Sequence, residues 1–413
     1  MRILQVNQYY YPRGGADKYF LDLTAALEAA GEEVAVLAMN HPKNLATPWS
    51  KYFVSYLSFN NGRLSDKLRT PGRVIYSLET KRKFTKLLKD FRPDIIHIHN
   101  IYHHLSPSLL DAAARFKIPV VMHLHDYKLI CPNHALFTKG AYCEQCRGGH
   151  YGRCLKNRCL KNSFSGSALA AVEMYLHHNI LKIYERRVAK FIAPSRFMKE
   201  TAVRFGQDSN QIDVIYNSFS LSAPSASQKD NQTINEKFFL YFGRLSEEKG
   251  LITLIKAAKI SGWRVKLAGD GPALKELQAF AESQSAPIEW LGFKTGSELA
   301  NLISDAQAII IPSIWAENMP LSLLEALGAG QIAIVSRIGG LPEIIIDGKN
   351  GWLFNPGDEL DLINQMEKAK NLTTEQRKEM SRLAQESVAP LAPNQHLKQI
   401  TALYQKIINQ TKK

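Results

Sequence analysis

The stretch KFFLYFGRLSEEKGLITLIKAAKI, residues 237–260, decides the fold. It opens with an apolar run, Phe238–Phe242, that suits a strand buried on both faces. Gly243 breaks the run and a polar loop follows. From Leu251 to Ile260 apolar residues return at helical spacing. Strand, glycine loop and helix in that order make one βα unit. The unit recurs downstream. Strand Arg264–Ala268 precedes helix Ala273–Glu282, and strand Ile288–Leu291 precedes helix Ser297–Ser304. Strand Ala308–Pro312 precedes helix Pro320–Ala329, and strand Ile332–Val335 follows. Strands separated by helices predict a parallel sheet covered on both faces.

The same alternation fills the first half. Ile3–Asn7, Glu33–Ala38, Ile95–His99, Val120–Leu124, Phe191–Pro194 and Ile212–Tyr216 read as strands, and Ala16–Ala30 as a helix. Between the halves, SFSLSAPSASQKDNQTINEK (residues 218–237) is polar and Ser-rich and reads as a linker. A chain of 413 residues exceeds one ordinary core. The expected organisation is therefore an α/β protein of two doubly wound, Rossmann-like domains facing a cleft, residues 1–217 and 238–390. The stretch 391–413 would be a terminal helix that packs back on the first domain.

No apolar run is long enough to span a bilayer. The opening MRILQVNQYY lacks the apolar region and cleavage site of a signal peptide, so a cytosolic location is expected. There the N-x-T triplets at Asn231, Asn371 and Asn409 carry no meaning. The formal charge is +14 and uneven. Residues 61–92 hold ten Lys or Arg against three acids, and residues 147–190 hold nine against two. Either these are solvated helix faces, or they face something anionic: a membrane, a lipid diphosphate or nucleic acid. Aromatics and leucines interleave with the charges in YSLETKRKFTKLLKDF and MYLHHNILKIYERRVAKF, a mixture that an interfacial helix and an ordinary amphipathic helix share.

In open α/β sheets ligands bind beyond the carboxyl ends of the strands. After Phe242 comes GRLSEEKG, where Gly243 permits close approach and Arg244 and Lys249 sit on a loop that feeds a helix, a set suited to a diphosphate. GDGP (269–272) reads as a turn, and GFKTG (292–296) offers a backbone edge for a nucleobase. After Pro312 comes SIWAENMP. Glu317 lies in this loop, and the N–H groups of Asn318 and Met319 can face a ligand. Glu325 falls inside the following helix among leucines, where a buried carboxylate needs partners. Glu325 could accept bonds from ribose hydroxyls and Glu317 from sugar hydroxyls.

Together these motifs resemble the retaining glycosyltransferases of the GT-B fold, in their large fourth sequence family. The resemblance spans nearly the whole chain. It rests on PRGGADKY, HLHDY, YFGRLSEEKG, AGDGP, the Glu-x7-Glu motif ENMPLSLLE, and IGGLPEIIIDGKNGWLF at 338–354. It implies that Arg244 and Lys249 hold the donor diphosphate and that Glu325 binds ribose. Glu317 would contact the donor sugar beside the amides of Asn318 and Met319. Gly14 and Gly15 would form a loop facing phosphates and acceptor, and His125 would lie near the reacting carbon. It implies front-face attack with retention, in which clamps stabilise the departing charge. Glu317 as a covalent nucleophile is the rival. No divalent metal is expected for catalysis. One departure is Asn217-Ser218, where members often have Asn-Gly, and a changed hinge conformation is expected.

The five cysteines are Cys131, Cys143, Cys146, Cys154 and Cys159. The last four spell C-x2-C-x7-C-x4-C, a spacing that suits a structural zinc or simply packed loop thiols. His97 and His99 read as structural. His103, His104, His177 and His178 read as surface or packing residues.

The expected activity is transfer of a sugar from a UDP- or GDP-sugar to a glycan acceptor, expected to be lipid-linked, in surface polysaccharide or lipopolysaccharide assembly. The expected place is the cytoplasm, with peripheral contact to the inner face of an anionic membrane and no nucleic acid partner. The alternative is a basic membrane- or nucleic-acid-binding protein with a vestigial sugar-nucleotide site. A phosphorylase on the same fold would want a pyridoxal-lysine context that the sequence does not offer.

Overall fold

The computed structural model describes residues 1–56, 71–220 and 237–411. The stretch read as a linker falls, from 221 to 236, outside the described residues, as does the 61–70 part of the first basic segment. The chain forms two compact units. One comprises the described residues of Met1–Thr138, Cys143–Tyr216 and Asn394–Lys413; the other comprises those of Lys139–Tyr142 and Asn217–Pro393.

The strands are β1 (Arg2–Val6), β2 (Glu33–Leu37), β3 (Ile95–Ile98), β4 (Val120–His123), β5 (Phe137–Thr138), β6 (Ala141–Tyr142), β7 (Lys190–Ala193) and β8 (Ile212–Val214), followed by β9 (Phe239–Phe242), β10 (Val265–Ala268), β11 (Ile288–Gly292), β12 (Ala308–Ile311), β13 (Ala333–Ser336) and β14 (Gly351–Phe354). The first unit's sheet has the order β2-β1-β3-β4-β7-β8, and every neighbouring pair is parallel. Ile3, Leu4, Ile95, Ile96 and Ile98 are wholly buried, as helices on both faces require. The second sheet has the order β11-β10-β9-β12-β13-β14, again all parallel.

The helix after β9, Leu251–Ser261, shows why the decisive stretch folds as it does. Leu251, Leu254, Ile255 and Ala258 recur on one face and are buried. They join Val265, Leu267 and Phe354 in one core. Gly262, at φ 69°, ends the helix in the left-handed region. Truncating Leu254 to Ala would cost about 2–5 kcal/mol.

Three expectations change. The helix that carries Glu325 runs Leu321–Gly328, and Pro320 caps it with extended backbone (ψ 128°) instead of lying inside it. The helix Leu78–Phe91 spends its apolar face inward: Phe84, Leu87, Leu88 and Phe91 are buried, so that stripe is not available to a membrane. Lys83 donates to the Phe53 carbonyl, and Lys81 donates to the Tyr76 hydroxyl at 2.7 Å. The third concerns the 174–191 stretch. It is not one amphipathic helix but a π-helical turn, Tyr175–Ile180, then a helix, Ile183–Arg187, entering β7.

The terminal helix Pro393–Thr411 buries Ile400, Tyr404, Ile407 and Ile408. The Tyr404 hydroxyl lies 2.6 Å from His97 Nδ1 on β3 and accepts from Gln5 Nε2 on β1 at 3.4 Å. No helix among the described residues is long and apolar enough to cross a membrane.

Candidate active site

In the second sheet the chain order reverses between β9 and β12, the place where open α/β sheets bind ligands. The loops after these two strands carry Arg244, Lys249, Glu317, Asn318 and Met319. They pack backbone on backbone. The Ile314 N–H donates to the Glu248 carbonyl at 3.0 Å. Gly250 has φ 67°, and a Cβ there would come 2.0 Å from the Pro312 carbonyl oxygen. Only glycine lets the two loops close to this distance.

That closure brings Lys249 to Glu317. Lys249 Nζ donates to Glu317 Oε1 at 2.7 Å, and the Ser313 hydroxyl donates to the same oxygen at 2.5 Å. Lys249 Nζ also stands 5.3 Å from the centre of the Trp315 ring. Glu317 is buried, while Lys249 is half-buried. The Gly340 N–H donates to the Glu317 carbonyl at 2.7 Å, and a Cβ on Gly339 (φ 64°) would strike the Glu317 backbone. The loop after β13 therefore fixes the height of Glu317.

The other residues read from the sequence occupy the same end of the sheet. Asn318 and Met319 are buried, and Asn217 Nδ2 donates to the Met319 carbonyl at 3.3 Å. Arg244 is exposed, and the Tyr241 hydroxyl donates to its carbonyl at 2.6 Å, which steadies the loop around Gly243. Glu325 is half-buried on its helix. The direct tie is Lys249 to Glu317, which the sequence reading had kept apart on different ligand groups.

In the first unit the order reverses between β1 and β3. Gly14 caps the helix Gly15–Ala29 with extended backbone and no side-chain cap. Asp17, in the first turn, accepts from Asn7 Nδ2 at 2.8 Å. Burial raises its carboxyl to about 6 despite the bond from Asn7 and the nearby Arg13.

His125 follows β4 and stacks on His123 with ring centres 4.3 Å apart. Its Nε2 lies 2.9 Å from His99 Nδ1, and His99 Nε2 lies 2.7 Å from Gln5 Oε1. An amide oxygen only accepts, so His99 Nε2 carries a proton. Neutral His99 then accepts at Nδ1 from His125 Nε2–H. His125 is left with Nδ1 as its acceptor nitrogen. Burial pushes His125 down to about 3 and holds His97 and His99 well below the ordinary range, so the array is neutral at pH 7. The sequence reading named His125 but not Gln5 or His99 as its orienting groups. A polar Gln inside an apolar strand was the signal.

The cysteines converge. Cys143, Cys146, Cys154 and Cys159 line one small cavity, and Cys131, left out of the four-cysteine spacing, lines it with them. None forms a disulfide.

Two parallel six-stranded sheets, each with polar loops gathered at its switch point, define an α/β protein of the GT-B class. The chain belongs to the group 1 glycosyltransferases: residues 13–222 match Glycosyltransferase Family 4 and residues 224–387 match Glycosyl transferases group 1. It is 25% identical over 362 residues to an uncharacterized 42.6 kDa protein in the cps region of Klebsiella pneumoniae, covering 83% of this chain and 87% of that one. It is 31% identical over 159 residues to WcaL of Salmonella typhimurium, a putative colanic acid biosynthesis glycosyltransferase, covering 35% of this chain and 39% of that one. The fold resembles that of HepE from Anabaena, solved with UDP and glucose, at a TM-score of 0.70 and 19% identity over 98% of this chain and 100% of that one.

Proposed function

We propose that the protein transfers a sugar, with retention of configuration, from a UDP- or GDP-sugar to a glycan acceptor in the assembly of a surface polysaccharide. The observation that carries this reading is the Lys249–Glu317 pair at the switch point of the second sheet, with Arg244 on the same loop. Arg244 and Lys249 oppose the two phosphates of the donor. As the bond from the anomeric carbon to the phosphate oxygen breaks, negative charge grows on the leaving diphosphate, and fixed cations stabilise it. The acceptor oxygen bonds to that carbon on the same face, and its proton passes to the leaving phosphate.

Glu317 Oε1 accepts from both Lys249 and Ser313, which favours a positioning role over the rival nucleophilic one. It positions Lys249 and presents its second oxygen to sugar hydroxyls, beside the backbone of Asn318 and Met319. Glu325 binds the ribose. Gly14 and Gly15, at a helix amino end, and His125 are the first unit's residues assigned to substrate binding on this reading. The relatives tied to a cps region and to colanic acid support a polysaccharide product, and UDP in the structural neighbour supports a nucleotide-sugar donor.

The acceptor is lipid-linked on this reading, and the protein touches an anionic membrane. Phe164, Val172, Tyr175, Ile180 and Leu181 are exposed, 44–62% each, and Lys161, Lys182, Arg186 and Arg187 are exposed around them in sequence. Apolar side chains flanked by bases suit a headgroup interface. The test of the chemistry is the anomeric configuration of the product by NMR. An α-linked product from an α-donor supports the mechanism; a β-linked product overturns it.

A further inference from the structure

We propose that four thiolates of the cysteine cluster bind a structural zinc ion that holds together the segment between Cys131 and Cys159. All five cysteines, with Asn133, line one cavity of about 10 Å³. That is room for a single ion or water, not for an organic ligand. Cys131 lies in a loop after β4, Cys143 directly after β6, Cys146 and Cys159 in turns, and Cys154 in the short helix Gly152–Asn157, so one of the five sits in a regular element.

The backbone of this segment is unusual. Twelve described non-glycine residues have positive φ; four of them, His134, Leu136, Lys139 and Arg158, lie in this segment, and Lys161 and Asn162 lie just beyond it. Such conformations persist only where the surroundings over-determine them. The apolar surroundings are meagre. The local core is Cys146, Tyr151, Cys154, Ala171 and Met174, and two of its five members are themselves thiols. A loop-rich segment with so small a core is the kind that a metal staples.

The charge balance agrees. Residues 139–161 hold six Lys or Arg and one Glu. Four thiolates on one Zn²⁺ leave a net charge of −2, which this basic shell offsets. Each ligand thiol gives its proton to solvent as the metal enters.

The sulfurs are not at coordination spacing without the ion. Among the described residues the one group of three donors within 4.8 Å is His97, His99 and His123. That group is committed elsewhere, since both nitrogens of His99 and one of His97 have protein partners. Two of the thiols, Cys154 and Cys159, already share a hydrogen bond. Five cysteines supply four ligands and one over. Cys131 Sγ donates to Asn133 Oδ1 at 2.8 Å and would have to exchange that bond to serve.

The experiment is metal analysis of the full chain, purified under reducing conditions without chelator, beside the five single Cys→Ser variants. About one zinc per chain, lost in four variants and kept in the fifth, is the expected result. Wild-type protein without bound metal that also fails to take up added Zn²⁺ would overturn the proposal, as would iron with inorganic sulfide in its place. Should the variants fail to fold, cobalt exchange into wild-type protein decides. Intense thiolate-to-cobalt absorption with tetrahedral bands supports the site, and the weak bands of octahedral cobalt contradict it.

Discussion

Lys249 and Glu317 are 68 residues apart in sequence and 2.7 Å apart in space. The contact welds the loop after β9 to the loop after β12, so the cation proposed for phosphate and the carboxylate proposed for sugar share one hydrogen bond. Glu317→Gln and Lys249→Ala should each lower kcat/KM by roughly 10²-fold or more, the range for removing a preorganised charge. The double variant should lose much less than the product of the two, because each change breaks the same contact. Initial rates of nucleotide release measure this. Full additivity would mean that the two residues act separately.

Gly250→Ala tests the closure itself. Its Cβ would meet the Pro312 carbonyl oxygen at 2.0 Å on a backbone with φ 67°. The left-handed strain alone costs about 1–3 kcal/mol. At roughly 2–4 °C per kcal/mol, melting should shift down by several degrees. Activity measured well below the melting temperature should fall too, since the Lys249 loop must move. A variant with unchanged melting and turnover would show that the loops close without this glycine.

Acid should weaken the fold. Burial lowers His103 and His396 to about 4 and His104 and His125 to about 3. Below the ordinary value of 6.5 the unfolded chain takes up these protons and the folded chain does not, so stability falls as pH drops from 6.5 toward 4. Asp17, raised to about 6, works the other way: between 6 and its ordinary 3.8 the folded state keeps a proton that the unfolded state has lost. Four groups outweigh one. The melting temperature should decline steadily from pH 7 to pH 5; a level or rising profile would contradict the neutral histidine array.

Membrane contact should depend on the apolar residues around Tyr175, not on the Lys81–Lys83 run. In flotation with vesicles containing anionic lipid, Tyr175→Ser with Leu181→Ser should reduce the bound fraction severalfold. Neutralising Lys81, Arg82 and Lys83 should change it little, because Lys81 and Lys83 already bond within the protein. The reverse pattern would return the interface to the Leu78–Phe91 helix.

The strands were legible because parallel strands buried on two faces read as short apolar runs, such as IIHI at β3 and AIII at β12. Loop residues at strand ends were legible for the same reason: once the strand is placed, Arg244 and Glu317 fall beyond its carboxyl end. What the spacing hid is long-range. Nothing near Lys249 in sequence announces Glu317. Nothing near Gln5 announces Tyr404, which arrives on the last helix to meet it and His97. Cys131 was set aside because it lies outside the C-x2-C-x7-C-x4-C spacing, yet chain folding returns it to the same cavity. The apolar stripe of Leu78–Phe91 looked the same whether it faced lipid or core, and only packing decides between them.

The most direct measurement is calorimetric titration of the protein with UDP and with GDP, beside Arg244→Ala and Glu325→Ala. The account predicts that one nucleotide binds and that both substitutions abolish or sharply weaken it, since each removes a group assigned to the diphosphate or the ribose. Binding of neither nucleotide by folded protein, or binding that both variants retain in full, would contradict the assignment of the second unit as the donor site.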